Sequence, residues 1–306
     1  MTDSSNAALE RFLTRAEQLM NRLEAVLPTP AAAIDWKASI AFRWRKRDGR
    51  GTLVPVANVH LISFDDLQGV DRQKALVEAN TRQFIGGRPA NNVLLTGTRG
   101  SGKSSLVKAC LAKFNRQGLR LFEVDKQDLV DLPDIVDIIA TRPERFIVFC
   151  DDLSFEASEA GYKALKVVLD GSISATSENE LVYATSNRRH LMPEHMSENL
   201  EYKHVDDELH PGETSEEKIS LSERFGLWVS FYPFDQDDYL QIVTHWLEHF
   251  GANTKAIDGA RTEALQWALG RGSRSGRIAW HFARDYAGRH GFKTGVTAVS
   301  KKRPLR

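Results

Sequence analysis

The sequence is poor in cysteine. Among its 306 residues there are two cysteines, Cys110 and Cys150, and neither belongs to a Cys-x-x-Cys pair or to a Cys/His cluster. This usage disfavours a disulfide framework and a cysteine-ligated zinc site. It is typical of a reducing compartment, so we expect a cytoplasmic protein.

Long hydrophobic runs and an excess of one charge are also missing. No window approaches about 18 uncharged apolar residues, so the sequence predicts no membrane-spanning helix. The N-terminus lacks the basic region and the apolar run of a signal peptide. Lys plus Arg and Asp plus Glu both number 41, so no overall basic field indicates nucleic-acid binding. Apolar residues make up 42%, which is enough for a full hydrophobic core.

The N-terminal region predicts a helix and a β-hairpin. Residues 7–27 carry an apolar stripe at helical spacing, and this helix packs either on its own domain or on a partner. Residues 39–56 alternate apolar and polar side chains around Asp48-Gly49, a pair typical of a hairpin turn. The cations near this turn are either a solvated tip or, together with Trp44, a nucleic-acid contact. They are Arg43, Arg45, Lys46, Arg47 and Arg50.

From residue 62 onward, predicted strands and helices alternate with short connections. This pattern is typical of a mostly parallel sheet with helices on both faces. After residue 234 the pattern becomes helical, and Trp246, Trp267 and Trp280 lie on apolar stripes that we expect to pack in a core. The five predicted strands are residues 93–96, 119–124, 146–150, 181–185 and 227–232.

A phosphate-binding motif lies between the first of these strands and the helix that follows. Residues 97–104 match G-x-x-x-x-G-K-[ST] in full. The glycines let the backbone curl so that successive N–H groups point at phosphate oxygens. Lys103 is expected to reach the β- and γ-phosphates, and the Ser104 hydroxyl to bind Mg²⁺. We therefore predict that ATP is bound by Gly97, Thr98, Arg99, Gly100, Ser101, Gly102, Lys103, Ser104 and Ser105.

A second predicted element is an acidic pair after an apolar strand. Residues 146–150 are followed by Asp151 and Asp152. An acid in this position helps to hold the metal of a P-loop site, so Asp151 is predicted to bind Mg²⁺ together with Ser104. The next position usually holds a Glu that polarises the attacking water, and Asp152 is one methylene shorter. Either Asp152 or Glu156 takes this role, and slow hydrolysis is expected.

Several segments between residues 62 and 290 resemble those of the AAA+ ATPases. Residues 64–71, Phe-Asp-Asp-Leu-Gln-Gly-Val-Asp, are similar to the segment of this class that packs on adenine. The resemblance implies base contacts by Leu67, Gly69 and Val70.

Further segments resemble the AAA+ residues that act on the phosphates. Asn187 is similar to sensor 1, which hydrogen-bonds the γ-phosphate or the attacking water. Arg224 is similar to the arginine finger that completes the site of a neighbouring subunit. Arg277 matches sensor 2 best, with Arg274 as the alternative. The implied catalytic set is Lys103, Asp151, Asp152, Asn187, Arg224 and Arg277.

At finer grain, residues 62–288 resemble a bacterial family of uncharacterised ATP-binding proteins, domain of unknown function family 815. Runs such as Ile62-Ser63-Phe64-Asp65-Asp66-Leu67 carry this resemblance. It implies an α/β P-loop (AAA+) fold, with a parallel five-stranded sheet between helices and a helical C-terminal lid. We expect an N-terminal extension at residues 1–60, the nucleotide-binding domain at 61–234, the lid at 235–292 and a basic tail at 293–306.

The resemblance also implies a function. It indicates a Mg²⁺-dependent ATPase that forms a homo-oligomer and remodels or switches a macromolecular client, which is a protein or a nucleic acid. Two alternatives stay open. One is an ATP-dependent switch or scaffold that hydrolyses slowly or not at all, and the other is a small-molecule P-loop kinase.

Overall fold

The structure is a computed structural model, and it describes residues 12–20, 22, 34–47, 50–154, 160–170, 179–187, 203–205, 208–210 and 221–292. Residues 12–20 are helical, in agreement with part of the predicted N-terminal helix. Their large apolar side chains are each more than half exposed, so this stretch does not bury its apolar stripe against the described part of the chain. These side chains are Phe12, Leu13, Leu19 and Met20.

One sheet of seven strands has the order β2-β1-β4-β5-β6-β3-β9. Its strands are β1 Ala41–Arg47, β2 Arg50–Pro55, β3 Val93–Gly97, β4 Leu119–Val124, β5 Arg145–Cys150, β6 Glu180–Ser186 and β9 Leu227–Phe231. A separate antiparallel pair is formed by β7 Lys203–Val205 and β8 Glu208–His210.

The five parallel neighbours β4, β5, β6, β3 and β9 are the five strands predicted from the sequence. The predicted count of five is wrong for the whole sheet, because the N-terminal hairpin adds two more strands. Its first strand, β1, pairs in parallel with β4, and its second, β2, pairs antiparallel with β1. The predicted fold class, a mostly parallel sheet with helices on both faces, is otherwise confirmed.

Three of the five basic side chains of the hairpin pair with acids within the chain. The cations of β1 pair with acids on or just after β4, in the pairs Arg43 with Glu123, Arg45 with Asp125 and Lys46 with Asp131. Trp44 is buried, and its indole N–H donates to Asp131 at 2.8 Å. The nucleic-acid contact considered for this hairpin therefore loses three of its cations and its aromatic ring to internal packing.

Helices cover both faces of the sheet. The helices that flank it are α1 Asp71–Ile85, α2 Lys103–Phe114, α3 Leu132–Ala140 and α4 Ala160–Asp170. One apolar cluster joins α1 and α2 to the sheet and to the C-terminal helices, and a second cluster joins α3 and α4 to the opposite face.

The C-terminal helices are α5 Gln236–His249, α6 Thr254–Gly270 and α7 Gly276–Arg289, in agreement with the helical pattern predicted after residue 234. Each begins at a residue whose side chain accepts a hydrogen bond from a main-chain N–H of the first turn: Asp235, Asn253 and Ser275. Such caps satisfy the free donors at a helix start. None of the described helices is both long and apolar enough to cross a membrane.

Candidate nucleotide-binding site

The sheet order brings the predicted site residues to one edge. Strand β3 lies between β6 and β9, and β5 lies next to β6. These strands are parallel, so their carboxyl ends meet at the same edge of the sheet. The phosphate loop follows β3, Asp151 follows β5, and Asn187 follows β6.

The loop after β3 is held open by glycines with positive φ. Gly97, Gly100 and Gly102 have φ values of 130°, 75° and 103°. A Cβ atom on Gly97 would lie 1.9 Å from the carbonyl oxygen of Phe231, so this position accepts only glycine. Helix α2 then starts after Gly102 without a side-chain cap, unlike α5, α6 and α7. Its first N–H groups have no side-chain acceptor and remain available to an anion.

Lys103 lies under this loop and is almost fully buried. Its ammonium donates hydrogen bonds to the carbonyl oxygens of Gly97 at 2.7 Å and Thr98 at 2.8 Å, and to Oδ1 of Asn187 at 3.0 Å. Burial lowers the pKa of Lys103 to about 8, although the two carboxylates after β5 act in the opposite direction.

Hydroxyl groups from α2 and β6 converge on the acids after β5. Ser104 Oγ donates to Oδ1 of Asp151 at 2.7 Å, and Thr185 Oγ1 donates to the same oxygen at 2.6 Å. The amide of Asn187 donates to the carboxylate of Asp152. Asn187 therefore links Lys103 to Asp152.

The backbone of Asp152 has an unusual conformation. Among the described residues other than glycine, it is the one with positive φ, at 54°. Asp and Asn adopt this left-handed region more readily than longer side chains do. The backbone therefore gives a physical reason for Asp at this position. One guanidinium nitrogen of Arg99 lies 3.9 Å from the carboxylate of Asp152.

These groups line a cavity of about 840 Å³ that also has an apolar end. The polar end is formed by the phosphate loop and by Asp151, Asp152 and Asn187. The apolar side chains of the lining come from the segment after β2, from the residues after β9 and from the C-terminal helices, and we refer to this group as the apolar end. It consists of Leu67, Val70, Phe234, Ile242, Trp246 and Trp280.

Comparisons with known proteins give the family. A family model described as "Protein of unknown function (DUF815)" matches residues 37–290. The chain belongs to this family. The match confirms the resemblance seen in the sequence. No curated protein matches this DUF815 chain.

Solved structures similar to the DUF815 chain have low sequence identity to it. The RuvB Holliday junction branch migration motor of Thermotoga maritima is 16% identical, with a TM-score of 0.47 over 76% of this chain and 68% of that chain. A chain of the HORMA:CdnC:Trip13 complex of E. coli MS115-1 is 13% identical, with a TM-score of 0.45 over 72% of this chain and 89% of that chain. A DNA replication initiation factor is 14% identical, with a TM-score of 0.45 over 75% of this chain and 63% of that chain.

Some of the residues predicted for the DUF815 site lie outside the cavity lining. Gly69 is one of them, but it packs against Phe234, since a Cβ atom on Gly69 would lie 3.1 Å from that ring. Arg224 pairs with Asp170 at the end of α4. Gly97, Thr98 and Arg274 also lie outside the lining, whereas Arg277 is part of it. Glu156 lies outside the described residues.

Three residues of this site were not predicted from the sequence as site residues: Trp246, Trp280 and Thr185. Trp246 and Trp280 pack against the core, as predicted, but they also line the cavity, with ring centroids 5.8 Å apart and nearly parallel planes. Thr185 was missed as well, because a threonine in an apolar strand is typical of β-structure alone. The contact of Thr185 with the acids after β5 depends on the pairing of β5 with β6. No short sequence motif predicts this pairing.

Proposed function

We propose that this chain is an AAA+-type P-loop protein that binds ATP with Mg²⁺ and hydrolyses it slowly. The observation that supports this most is the convergence at the carboxyl end of β3. There the Lys103 ammonium lies 3.0 Å from Asn187, and the Ser104 hydroxyl lies 2.7 Å from Asp151. An ammonium, a hydroxyl and a carboxylate beside free main-chain N–H groups are the groups that bind a triphosphate and its cation.

The donor set fits Mg²⁺, which prefers oxygen ligands and keeps several waters. Ser104 and Asp151 would hold the cation, which supplies positive charge to neutralise the phosphates when bound. Lys103 would exchange its carbonyl partners on the loop for phosphate oxygens. Arg277, which lines the cavity from α7, would supply a second cation to the phosphates. Arg274 is less favoured for this role, because it lies outside the lining.

The apolar end of the cavity supports binding of the base. Leu67 and Val70 are buried in its wall, and Trp246 and Trp280 add aromatic surface from the helical unit. Aromatic rings stack on nucleobases. Gly69 would act indirectly, by letting the chain between Leu67 and Val70 approach Phe234 closely.

Asp152 supports slow turnover and keeps the switch alternative open. Its side chain is one methylene shorter than that of Glu, and its carboxylate already accepts a hydrogen bond from Asn187. A water bound at Oδ1 of Asp152 would therefore compete with Asn187 for that oxygen atom. We propose that, for hydrolysis to occur, Asn187 must break its hydrogen bond to Asp152 and form one to the phosphate or the attacking water. This exchange would limit the rate of hydrolysis.

We also propose that the chain works as a homo-oligomer on a macromolecular client. Arg224 does not line the cavity of its own chain, which agrees with a role at a neighbouring subunit. In this arrangement, residues 61–234 bind the nucleotide and residues 235–292 form a lid over it. The predicted extension at residues 1–60 would choose the client, although its hairpin also completes the sheet.

Calorimetric titration of ATP, with and without Mg²⁺, tests the binding site. Lys103→Ala should weaken ATP binding by about 10- to 100-fold, because hydrogen bonds to charged groups contribute about 1.5–3 kcal/mol. Lys163→Ala removes the same charge from an exposed position on α4 and should leave the affinity unchanged. Equal affinities of wild type and Lys103→Ala would contradict the proposed site.

A measurement of phosphate release from ATP then distinguishes the ATPase from the two alternatives, the switch and the kinase. Slow release without an added acceptor supports the ATPase, and Asp152→Asn should abolish it while ATP binding persists. Tight binding with no release supports the switch. Phosphate transfer to an added metabolite would support the kinase.

A further inference from the structure

We propose that Thr185 is a positioning residue that fixes both acids of the site, an inference that rests on the proposed ATPase function. Thr185 lies near the end of β6 and is 1% exposed. Its hydroxyl donates to Oδ1 of Asp151 at 2.6 Å and accepts from the main-chain N–H of Asp152 at 2.8 Å. One buried hydroxyl thus contacts both consecutive acids.

The hydrogen bonds of this hydroxyl are fully assigned. A threonine hydroxyl has one hydrogen to donate and lone pairs to accept. The hydrogen goes to Asp151, and a lone pair receives the N–H of Asp152. Thr185 is itself buried, although it belongs to the cavity lining together with both acids. A side chain at this position needs a hydroxyl group to make both hydrogen bonds. Valine has the same shape as threonine but can neither donate to Asp151 nor accept from Asp152.

The contact to Asp151 sets the direction of its carboxylate. Oδ1 accepts from both Ser104 and Thr185, while Oδ2 has no hydrogen-bond partner among the described residues. Two donors on one oxygen restrict rotation of the carboxylate and leave the other oxygen for a cation or its water. Groups that orient a metal ligand from behind typically affect metal affinity or activity by 10- to 100-fold.

The contact to Asp152 holds an uncommon backbone conformation. Asp152 has a φ of 54°, and its N–H is fixed by the Thr185 hydroxyl. The next N–H, of Leu153, donates to the main-chain oxygen of Thr185 at 2.7 Å. Thr185 therefore fastens the chain on both sides of the Asp152 Cα atom. Conformations of this kind persist only where the surroundings over-determine them.

The test compares Thr185→Val with Thr185→Ser. The valine variant keeps the shape and removes the hydroxyl, whereas the serine variant keeps the hydroxyl. Thr81→Val is the matched control, because Thr81 is equally buried and its hydroxyl donates to Val77 at 2.7 Å, away from the cavity. Each protein is titrated with ATP in EDTA and then with Mg²⁺ at saturating ATP, and phosphate release is followed.

Thr185→Val should bind ATP in EDTA within about twofold of wild type. Its half-saturating Mg²⁺ concentration should rise by at least about tenfold, and turnover should fall by about 10- to 100-fold. Thr185→Ser should stay within about threefold of wild type, and Thr81→Val should match wild type in all three measurements. A serine variant as defective as the valine variant, or an unchanged Mg²⁺ dependence in Thr185→Val, would overturn the proposal.

A readout without nucleotide separates this inference from the proposed function. In a ligand-free crystal structure of Thr185→Val, the Asp151 carboxylate should rotate and Asp152 should leave its positive φ. If both stay in place, Thr185 does not position them. If wild type binds no ATP, the proposed function fails, and the crystal structure still decides whether Thr185 positions the acids.

Discussion

The main-chain N–H of Gly276 donates a hydrogen bond of 2.9 Å to the carbonyl oxygen of Gly100. Gly276 is the first residue of α7, and Gly100 lies in the middle of the phosphate loop. The last helix of the C-terminal unit therefore begins directly on the loop. A movement of the loop would act directly on the start of α7 through this bond, so the contact offers a direct route from the nucleotide to the helical unit.

Gly100→Ala tests whether this contact matters for binding. A Cβ atom on Gly100 would lie 2.8 Å from Ser275 Oγ, and the residue has a φ of 75°. The variant must either change the loop or displace the start of α7. We expect ATP affinity, measured by calorimetry, to fall by at least about tenfold, which corresponds to about 1.4 kcal/mol.

Gly118→Ala is the control for this variant. Gly118 also has positive φ, at 96°, but nothing lies within 4 Å of its added Cβ atom. Both variants should lose about 1–2 kcal/mol of unfolding free energy for the left-handed backbone, measured by urea unfolding. Only Gly100→Ala should also weaken ATP binding. Equal ATP affinities in the two variants would show that the approach of α7 to the loop does not affect the nucleotide.

Trp246 and Trp280 should report on the base. Their rings line the apolar end of the cavity, and stacking on a base contributes about 1–3 kcal/mol. We expect ATP to quench tryptophan emission, and this signal to shrink in Trp246→Phe and Trp280→Phe. ATP affinity should fall by up to about tenfold in both variants.

Trp267→Phe is the matched control for these two variants. Trp267 lies on α6 outside the cavity lining, with the guanidinium of Arg271 stacked 3.8 Å above its ring. Its replacement should leave the quenching intact. If Trp267→Phe removes as much signal as the other two, the base lies elsewhere.

These tryptophans also show what the sequence can predict. Their spacing identifies a helical stripe, because apolar side chains at a period of 3.6 residues lie on one face. The same period cannot say whether that face meets the core or a cavity, since both are apolar. The phosphate loop is different. Its glycines and Lys103 are specified by local backbone geometry, so a short motif was enough to place the loop at the end of β3.

The hairpin and Thr185 mark the limit of local patterns. The alternation in residues 39–56 predicted both strands, but the pairing of β1 with β4 joins segments about 80 residues apart. The acids that pair with three of the hairpin cations lie on this distant segment or within a few residues after it. Thr185 likewise contacts acids that precede it by more than 30 residues. These contacts depend on the order of the strands in the sheet. The periodicity of side chains within one segment does not predict that order.

Glu180 should make stability depend on pH. Its Oε2 is buried without a hydrogen-bond partner. Burial raises the pKa of Glu180 from 4.5 to about 7, and Asp137 adds to the rise. The folded state therefore prefers the protonated acid, and its stability falls as the pH rises from about 4.5 to 7. A shift of this size corresponds to ~3 kcal/mol.

Glu180→Gln removes this ionisation. The variant should match wild type near pH 4.5 and exceed it by up to ~3 kcal/mol above pH 7, as measured by urea unfolding across this range. Glu144→Gln should show the opposite sign, because hydrogen bonds from Arg142 lower the pKa of Glu144. It should lose stability at neutral pH, and the loss should shrink as the pH falls. A pH-independent difference for Glu180→Gln would contradict this explanation.

Arg224 should act on a neighbouring subunit. Within its own chain it pairs with Asp170 and does not line the cavity. An arginine supplied in trans contributes about 10³- to 10⁵-fold to phosphoryl transfer. Arg224→Ala should therefore bind ATP with unchanged affinity and show little phosphate release. Arg261→Ala, which removes an exposed arginine on α6, should keep full turnover.

Mixing two inactive variants distinguishes a trans role from a structural one. Lys103→Ala subunits lack a functional phosphate loop but retain Arg224, whereas Arg224→Ala subunits have the reverse defect. In a mixed oligomer, some intact loops face an intact Arg224, so phosphate release should reappear and peak at an intermediate ratio. If the Asp170 pair is instead the whole role of Arg224, mixing restores nothing and Asp170→Asn is as inactive as Arg224→Ala. Recovery on mixing would require both a subunit interface at the nucleotide and the presence of Arg224 in that interface.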